Sequence, residues 1–596
     1  MPLEEFPIIP VTTEEGLNKC LDHMDKYTVI GCDTETEGLD PHTCLPRLLQ
    51  MTNQDYAYVV DLWAFSQGDV HEGGIPRLPK LCEFLSNPTR LKLMHNGKFD
   101  IKFISKHLGI EPSPIFDTWA TSIVLNCSDQ TKPNDLGHVA ARYARVQLDK
   151  SLQVSDWGGP LSKEQLLYAA EDAMVLHPIW EKQRQRLKEE GLTHIAWIEN
   201  QAVPAFAAME LAGIALDTEA WAVEIEKMKE DYERTNLKIQ KEFNSVVDQS
   251  SLFDTNVVNL ESAGEVRKAL ARLGIPLPEG TQKLILETIR SDHPIIDYLL
   301  DYREAQKILS SYSIKMMQAV NAVTGRIHAD FNQLGAQNTG RTSCKNPNMQ
   351  QLPHGENWRD CIYAPEGRIL VTADYSQFEL RILAEFSQEP LMLKAFREKI
   401  DLHKMTGHLV FNTAIDEVSK QQRDIAKRAN FGTVYGIAPM RLSRLCKISF
   451  EFASEVLDAY FHNYTYVDKW LKWAKFRAQY DKISTTLAGR KIKYQYDPED
   501  EKVKAGVGRN GMNAPIQGSN ADIAKRAMYL IHTALRGTTA TLINFVHDEF
   551  VIECDEQDAN DVGQLLVDCM KQAAYEYIKT VPIEVDFFAH KKWRKE

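Results

Sequence analysis

A chain of 596 residues is longer than one hydrophobic core can organise, so two to four domains are expected. Apolar content of 43 % with 26 % charged residues is that of a soluble globular protein, and no apolar run is long enough to span a membrane. The formal charge of −14 argues by itself against a polyanionic partner, yet basic clusters at 423–428 (RDIAKR), 489–493 (GRKIK) and 590–595 (HKKWRK) leave room for a locally basic channel.

The N-terminus, MPLEEFPIIPVTTEEG, is acidic and has no apolar targeting segment, which predicts a cytoplasmic protein. The 10 cysteines are scattered without a C-x-x-C pair, so reduced thiols are expected rather than a zinc site or a disulfide framework.

Residues 1–190 alternate short apolar strands with helical segments, the pattern of an α/β unit. Strands are expected at 27–32 (YTVIGC), 56–62 (YAYVVDL) and 91–95 (LKLMH). The first runs into VIGCDTETEGLD, where Asp33 and Glu35 share a strand face about 7 Å apart. Two like charges so placed are costly unless a cation neutralises them, and Mg²⁺ takes such hard oxygen ligands. A lone D-x-E fits a solvated strand end equally well. Asp100 follows the third strand in LKLMHNGKFD, and Tyr168 and Asp172 lie four apart on one helical face in LLYAAEDAM. Glu37 and Glu171 lie close by and are read as non-ligands.

Residues 180–250 are charged and helix-prone, which predicts long exposed helices, with the main boundary near 190. Strands return at 320–385 (RIHADFNQL, RILVTA), and 390–480 read as helices. The strand ILVTA ends at Asp374. Just beyond, Ser376 and Glu379 have the spacing of a capping box. In RDIAKRANFGTVYG, Arg423, Lys427, Phe431 and Tyr435 recur every four residues on one face over roughly 18 Å. Two cations followed by two aromatics suit a nucleoside triphosphate, or equally a surface helix with solvated Arg and Lys and two core aromatics, with Gly436 closing the helix. Finally, LINFVHDEFVIEC reads as a hairpin whose tip carries Asp548 and Glu549 but no glycine, so local turn preference is overridden, as expected of a functional site.

Taken together and in order, these stretches resemble known families. Asp33/Glu35, Asn96/Asp100 and Tyr168/Asp172 resemble the three motifs of the DEDD exonuclease superfamily, in its Tyr-containing branch. That resemblance implies an RNase H-like fold and a two-metal 3′→5′ exonuclease, with Asp33, Glu35, Asp100 and Asp172 holding the metals and Tyr168 orienting the attacking water. R-x-x-x-K-x-x-x-F-x-x-x-Y-G resembles motif B of family A DNA polymerases, the bacterial DNA polymerase I group. DYSQ-x-ELR and VHDEF resemble its motifs A and C. By this resemblance Asp374, Tyr375 and Asp548 hold two Mg²⁺, with Mn²⁺ as an alternative. Lys427 is catalytic, and Arg423, Lys427, Phe431, Tyr435, His403, Gln377 and Glu379 bind the dNTP. Glu379 then acts as a steric gate under the sugar, and Phe431 implies discrimination against dideoxynucleotides. Arg341, in a TGR-x-S-like segment whose Ser343–Cys344 replaces the usual paired serines, is expected on the DNA with Asn513, Gln517 and His547.

The resemblance therefore implies an α/β and α+β multidomain chain. An RNase H-like exonuclease domain at 1–190 precedes a right-hand polymerase domain at 191–596. Within it the thumb is placed at about 205–325, the palm at about 326–388 and 520–596, and the fingers at about 389–519. No 5′-nuclease domain is expected ahead of these segments, a layout resembling phage-type or truncated members. The expected partners are primer–template DNA and dNTPs, in a monomer in the cytoplasm of a bacterial or phage-infected host, away from membranes. A single-subunit RNA polymerase is disfavoured by Glu379 and the exonuclease motifs. An exonuclease with a degenerate polymerase body is disfavoured by intact Asp374, Lys427 and Asp548.

Overall fold

The computed structural model describes residues 6–245, 257–277, 280–289, 293–353 and 355–594. In the N-terminal body the three expected strands form as Val29–Thr36, Ala57–Asp61 and Leu91–Met94. They join three others in a six-stranded sheet of order Ile8–Val11, Ala57–Asp61, Pro46–Thr52, Val29–Thr36, Leu91–Met94, Ile115–Asp117. Pro46–Thr52 lacks the polar–apolar alternation of a half-exposed strand because almost every residue in it is buried. Val29–Thr36 lies inside the sheet, antiparallel to Pro46–Thr52 and parallel to Leu91–Met94, so its carboxylates emerge away from either edge.

The expectation of exposed helices over 180–250 holds for Thr218–Asn244, where only Trp221, Ile225, Ile239 and Phe243 are buried. It fails for Thr193–Ala212, most of whose residues are buried. The sequence AWIENQAVPAFAAMELA is apolar on every side, the mark of a helix enclosed all round. Val203 and Ala207 pack into the N-terminal core, and Ala202, Phe206 and Met209 into the C-terminal core. Just beyond residue 190, where the main boundary is expected, begins a helix whose residues enter both cores.

The C-terminal body centres on an antiparallel sheet of order Thr541–Val546, Glu549–Asp555, Arg368–Tyr375, Val585–His590. Residues 390–480 are helical as expected, including Leu402–Phe411, Lys420–Val434 and Thr465–Phe476. The 35-residue helix Glu501–Leu535 runs from these helices back to the sheet.

Two of the three basic clusters are structural. Arg490 is buried against Glu199 and Asp522, and Lys491 and Lys493 bind Glu190. Lys591 pairs with Glu556, Arg594 with Asp360, and Trp593 is buried; Lys595 lies outside the described residues. Asp424, Lys427 and Arg428 of RDIAKR line an open groove. All ten cysteines are free thiols, and among the described residues no helix is long and apolar enough to cross a membrane.

Candidate active sites

The first site gathers on the N-terminal sheet. Asp33 and Glu35 project from one face of Val29–Thr36, as a two-residue period requires. Asp100 sits in the first turn of helix Lys98–Leu108, where a negative charge complements the helix dipole, and accepts a 2.6 Å hydrogen bond from Thr34 Oγ1. Tyr168 and Asp172 stand one turn apart on helix Lys163–Met174, whose start is fixed by a Ser162/Gln165 capping box.

One oxygen each from Asp33, Glu35 and Asp172 lie within 4.8 Å of one another. Asp100 falls outside that set but close enough to bear on it: burial and then the charge of Asp100 push Asp33 well above the carboxylate range. Burial, followed by Asp172, pushes Glu35 up to about 8, and burial pushes Asp100 up to about 7. Four carboxylates so placed cannot all stay charged without a cation, and an all-oxygen donor set fits a hard divalent ion. Burial, followed by Asp172, keeps the Tyr168 phenol far above its ordinary range, so it is a neutral hydrogen-bonding group. Glu37 turns elsewhere, accepting from the Leu45 N–H and facing His71 at 3.5 Å.

Sequence reasoning missed Lys150. From the loop before helix Lys163–Met174, its Nζ donates to both carboxylate oxygens of Asp172 at 2.7 Å, and it lies 5.3 Å from the Tyr168 ring centroid. Nothing in VQLDKSLQ marks it, because only the loop's path brings it to the site.

The second site lies at one end of the C-terminal sheet. Asp374 pairs with Glu549 on one side and Asp586 on the other. Asp548, the residue before Glu549, is therefore at the same end. The hairpin turns through His547 and Asp548, and His547 has φ +62°, which a histidine tolerates better than most residues. That conformation replaces the missing glycine. Glu549 is not at the tip: it opens the return strand, is buried, and accepts from Trp593 Nε1 at 2.6 Å and Arg359 at 3.3 Å. Tyr375 is also turned inward, its hydroxyl donating to the Met570 carbonyl at 2.7 Å, so only its main chain can serve this site.

Ser376 and Glu379 have the spacing of a capping box, but none forms. The strand-to-helix turn puts Gln377 in the left-handed region (φ +51°) as N-cap of helix Phe378–Ser387, with no side-chain cap. Glu379 instead accepts from Arg341 at 2.5 Å and from the Tyr435 hydroxyl at 3.0 Å, and Gln517 donates to that hydroxyl at 3.0 Å. Four residues distant in sequence thus form one chain across the cleft.

Helix Lys420–Val434 starts at a Ser419/Gln422 capping box, and Gly436 follows it at φ +64°. Lys427, Phe431 and Tyr435 line a groove of about 510 Å³ with Asp424, Arg428 and Arg441. Arg423 pairs with Asp401 at 2.8 Å. His403 is buried beside this face, 5.7 Å from the Phe431 ring, and burial pushes its imidazole down to about 4. Its Nδ1 accepts from Asn430, leaving Nε2 with the proton.

On helix Glu501–Leu535, Asn513, Gln517 and Asn520 share a face. Asn520, also missed, donates to Asp548 at 3.4 Å; its i, i+4, i+7 spacing was the available signal. The side-chain oxygens of Gln377, Asn513 and Asn520 are buried without a hydrogen-bond partner in the protein.

Comparison with known proteins gives the family of each part of the chain. Residues 224–595 match the family model described as DNA polymerase family A, and residues 8–188 match that described as 3′-5′ exonuclease. DNA polymerase I of Aquifex aeolicus is 30 % identical over 98 % of this chain and 99 % of its own length. DNA polymerase I of Synechocystis is also 30 % identical over 98 % of this chain, which spans 62 % of that relative. Among solved structures, the POL domain of Pol1 from M. smegmatis, in complex with DNA primer-template and dNTP, superposes with a TM-score of 0.81 at 25 % identity, over 98 % of this chain and 99 % of that one. The chain belongs to DNA polymerase family A and carries a 3′-5′ exonuclease domain ahead of its polymerase domain.

Proposed function

We propose that the chain extends a primer 3′ end with dNTPs at the Asp374/Asp548 end of the C-terminal sheet and trims mispaired 3′ ends at the Asp33/Glu35/Asp100/Asp172 cluster. The observation carrying this reading is the pair of separate carboxylate sites, the second served by a helix face that runs from cations to aromatics. The M. smegmatis relative bound to primer-template and dNTP supports the same substrates here.

Mg²⁺, or Mn²⁺ in its place, held by Asp374, Asp548 and the Tyr375 main chain and by the four exonuclease carboxylates, would neutralise the attacking and leaving oxygens of phosphoryl transfer. The chain's own residues do the rest. Arg423, Lys427 and the His403 Nε2–H bind the triphosphate, and Phe431 and Tyr435 pack on sugar and base. Gln377 and Glu379 enclose the sugar. Arg341, Asn513, Gln517 and His547 hold the duplex. Tyr168, neutral and bonded to Asp172, orients water at the exonuclease site. Domain limits near 190, 325, 388 and 519, a monomeric state and a cytoplasmic setting belong to the same proposal. A labelled primer–template tests it: the primer should lengthen with dNTPs, shorten without them, and do neither once divalent ions are chelated. Lengthening without any shortening would refute the two-site reading.

Glu379→Ala is expected to raise ribonucleotide incorporation by about a hundredfold, since a lost steric contact rather than a lost cap is involved. A variant that melted earlier yet selected as before would point to a purely structural role.

Lys150→Met is expected to tighten Mn²⁺ binding at the exonuclease site several-fold, because an ammonium group no longer competes for both oxygens of Asp172. Calorimetric titration measures this directly. Equal affinities would mean that Lys150 leaves the carboxylate at no cost.

A further inference from the structure

Helix Thr465–Phe476 and the turn that extends it carry a row of rings that the polymerase and exonuclease sites do not use. Tyr466, Trp473, Phe476 and Tyr480 are 49, 52, 52 and 61 % exposed. With Lys469 they follow i, i+3, i+7, i+10, i+14, a single helical stripe about 21 Å long. Phe476 and Tyr480 stack, with centroids 4.6 Å apart at 26°. Lys469 lies 5.3 Å from the Tyr466 centroid and Arg477 lies 5.3 Å from that of Trp473.

The opposite face is committed. Val467, Trp470, Leu471 and Ala474 are buried. Gly511 lets helix Glu501–Leu535 approach so closely that a Cβ there would sit 2.2 Å from Ala478 Cβ. The rings therefore point outward, away from helix Glu501–Leu535, which carries Asn513 and Gln517 on a face other than the one packed here.

Charge identifies the occupant. Between 465 and 482 there are five cations (Lys469, Lys472, Lys475, Arg477, Lys482) and two carboxylates (Asp468, Asp481), and both carboxylates are paired within the segment, to Lys472 and Arg477. A net positive stripe on a chain of net charge −14 favours a polyanion. Protein interfaces are depleted in lysine, whereas aromatic faces interleaved with cations are the platform on which unpaired bases stack. We propose that this stripe binds single-stranded nucleic acid, namely the unpaired template ahead of the insertion point. The polymerase reading supplies the identity of that strand; the binding itself can be tested without primer or dNTP.

The test measures affinity for a primer–template with an overhang of about three nucleotides, one of about fifteen, and oligo(dT) alone, the longer lengths covering known single-strand site sizes. The wild type should prefer the long overhang. Trp473→Ser, Phe476→Ser and Tyr480→Ser together should weaken long-overhang and oligo(dT) binding at least about a hundredfold while leaving the short overhang unchanged. Lys469→Gln with Lys475→Gln should instead make the salt slope for oligo(dT) shallower by about 1.4. A long-overhang preference untouched by both variants would overturn the proposal. So would variants that lose binding to anionic lipid vesicles yet retain oligo(dT).

Discussion

Asp548→Ala is expected to abolish primer extension while leaving 3′ degradation intact, and Asp33→Ala to do the reverse. Each substitution removes one oxygen donor from a cluster whose chemistry depends on neutralising phosphate charge. A loss of at least about a thousandfold at the affected site corresponds to roughly 4 kcal/mol of transition-state stabilisation. The split follows from geometry. Asp33 belongs to the six-stranded sheet and Asp548 to the hairpin of the four-stranded one, so neither change reaches the other cluster. Neither residue is a core prop: Asp33 is one of several crowded carboxylates, and Asp548 is a turn residue bonded to Asn520. Both activities can be followed on one labelled substrate, with and without dNTPs. If either variant lost both while keeping its native circular dichroism, the two sites would have to be coupled or a single site would have to do both jobs.

What could be foreseen was whatever depends on local period and spacing. The D-x-E pair, the Tyr168/Asp172 helix face and the Arg423–Tyr435 stripe follow from the two-residue and 3.6-residue repeats, and each is found on its expected element. What could not be foreseen depends on where distant segments meet. Lys150 enters a carboxylate cluster from a loop, and Glu379 meets Arg341 and Tyr435 across the cleft. The Ser376/Glu379 capping reading failed for a related reason. A capping box is a local rule, and the local backbone was set by the turn out of the sheet, which makes Gln377 the N-cap. Cluster GRKIK left room for a locally basic channel, but it is taken up by Glu190, Glu199 and Asp522, which lie far along the chain and could not be paired with it from local spacing.

Those partners lead to the largest stability effect. Glu199, fully buried on the helix shared by both bodies, accepts from Lys525 at 2.7 Å, from Gln333 at 2.5 Å and from Arg490, which also binds Asp522. Two cations and two carboxylates balance, and burial is tolerable only because they do. Burial raises Glu199, but Lys525 and Arg490 more than offset it, so it stays ionised; burial pushes Lys525 down to about 8. Glu199→Ala would take a charge partner from both buried cations and is expected to lose about 3–5 kcal/mol. Pairing Glu199→Leu with Lys525→Met should recover at least about half of that loss, since removing both members of a buried pair costs less than removing one. Urea unfolding of the three proteins decides it, and a wild-type midpoint for Glu199→Ala would refute the argument. The consequence extends to activity. Gln333 lies on the strand that pairs with the one bearing Arg341, and Lys525 on the helix bearing Asn513, Gln517 and Asn520. The buried quartet therefore holds Arg341, Asn513 and Gln517, the side chains proposed to meet DNA, against the helix that also packs on the N-terminal core. The paired replacement should then fold well yet bind primer–template less tightly, because packing can restore the helix contact but not the direction that ion pairs impose on it.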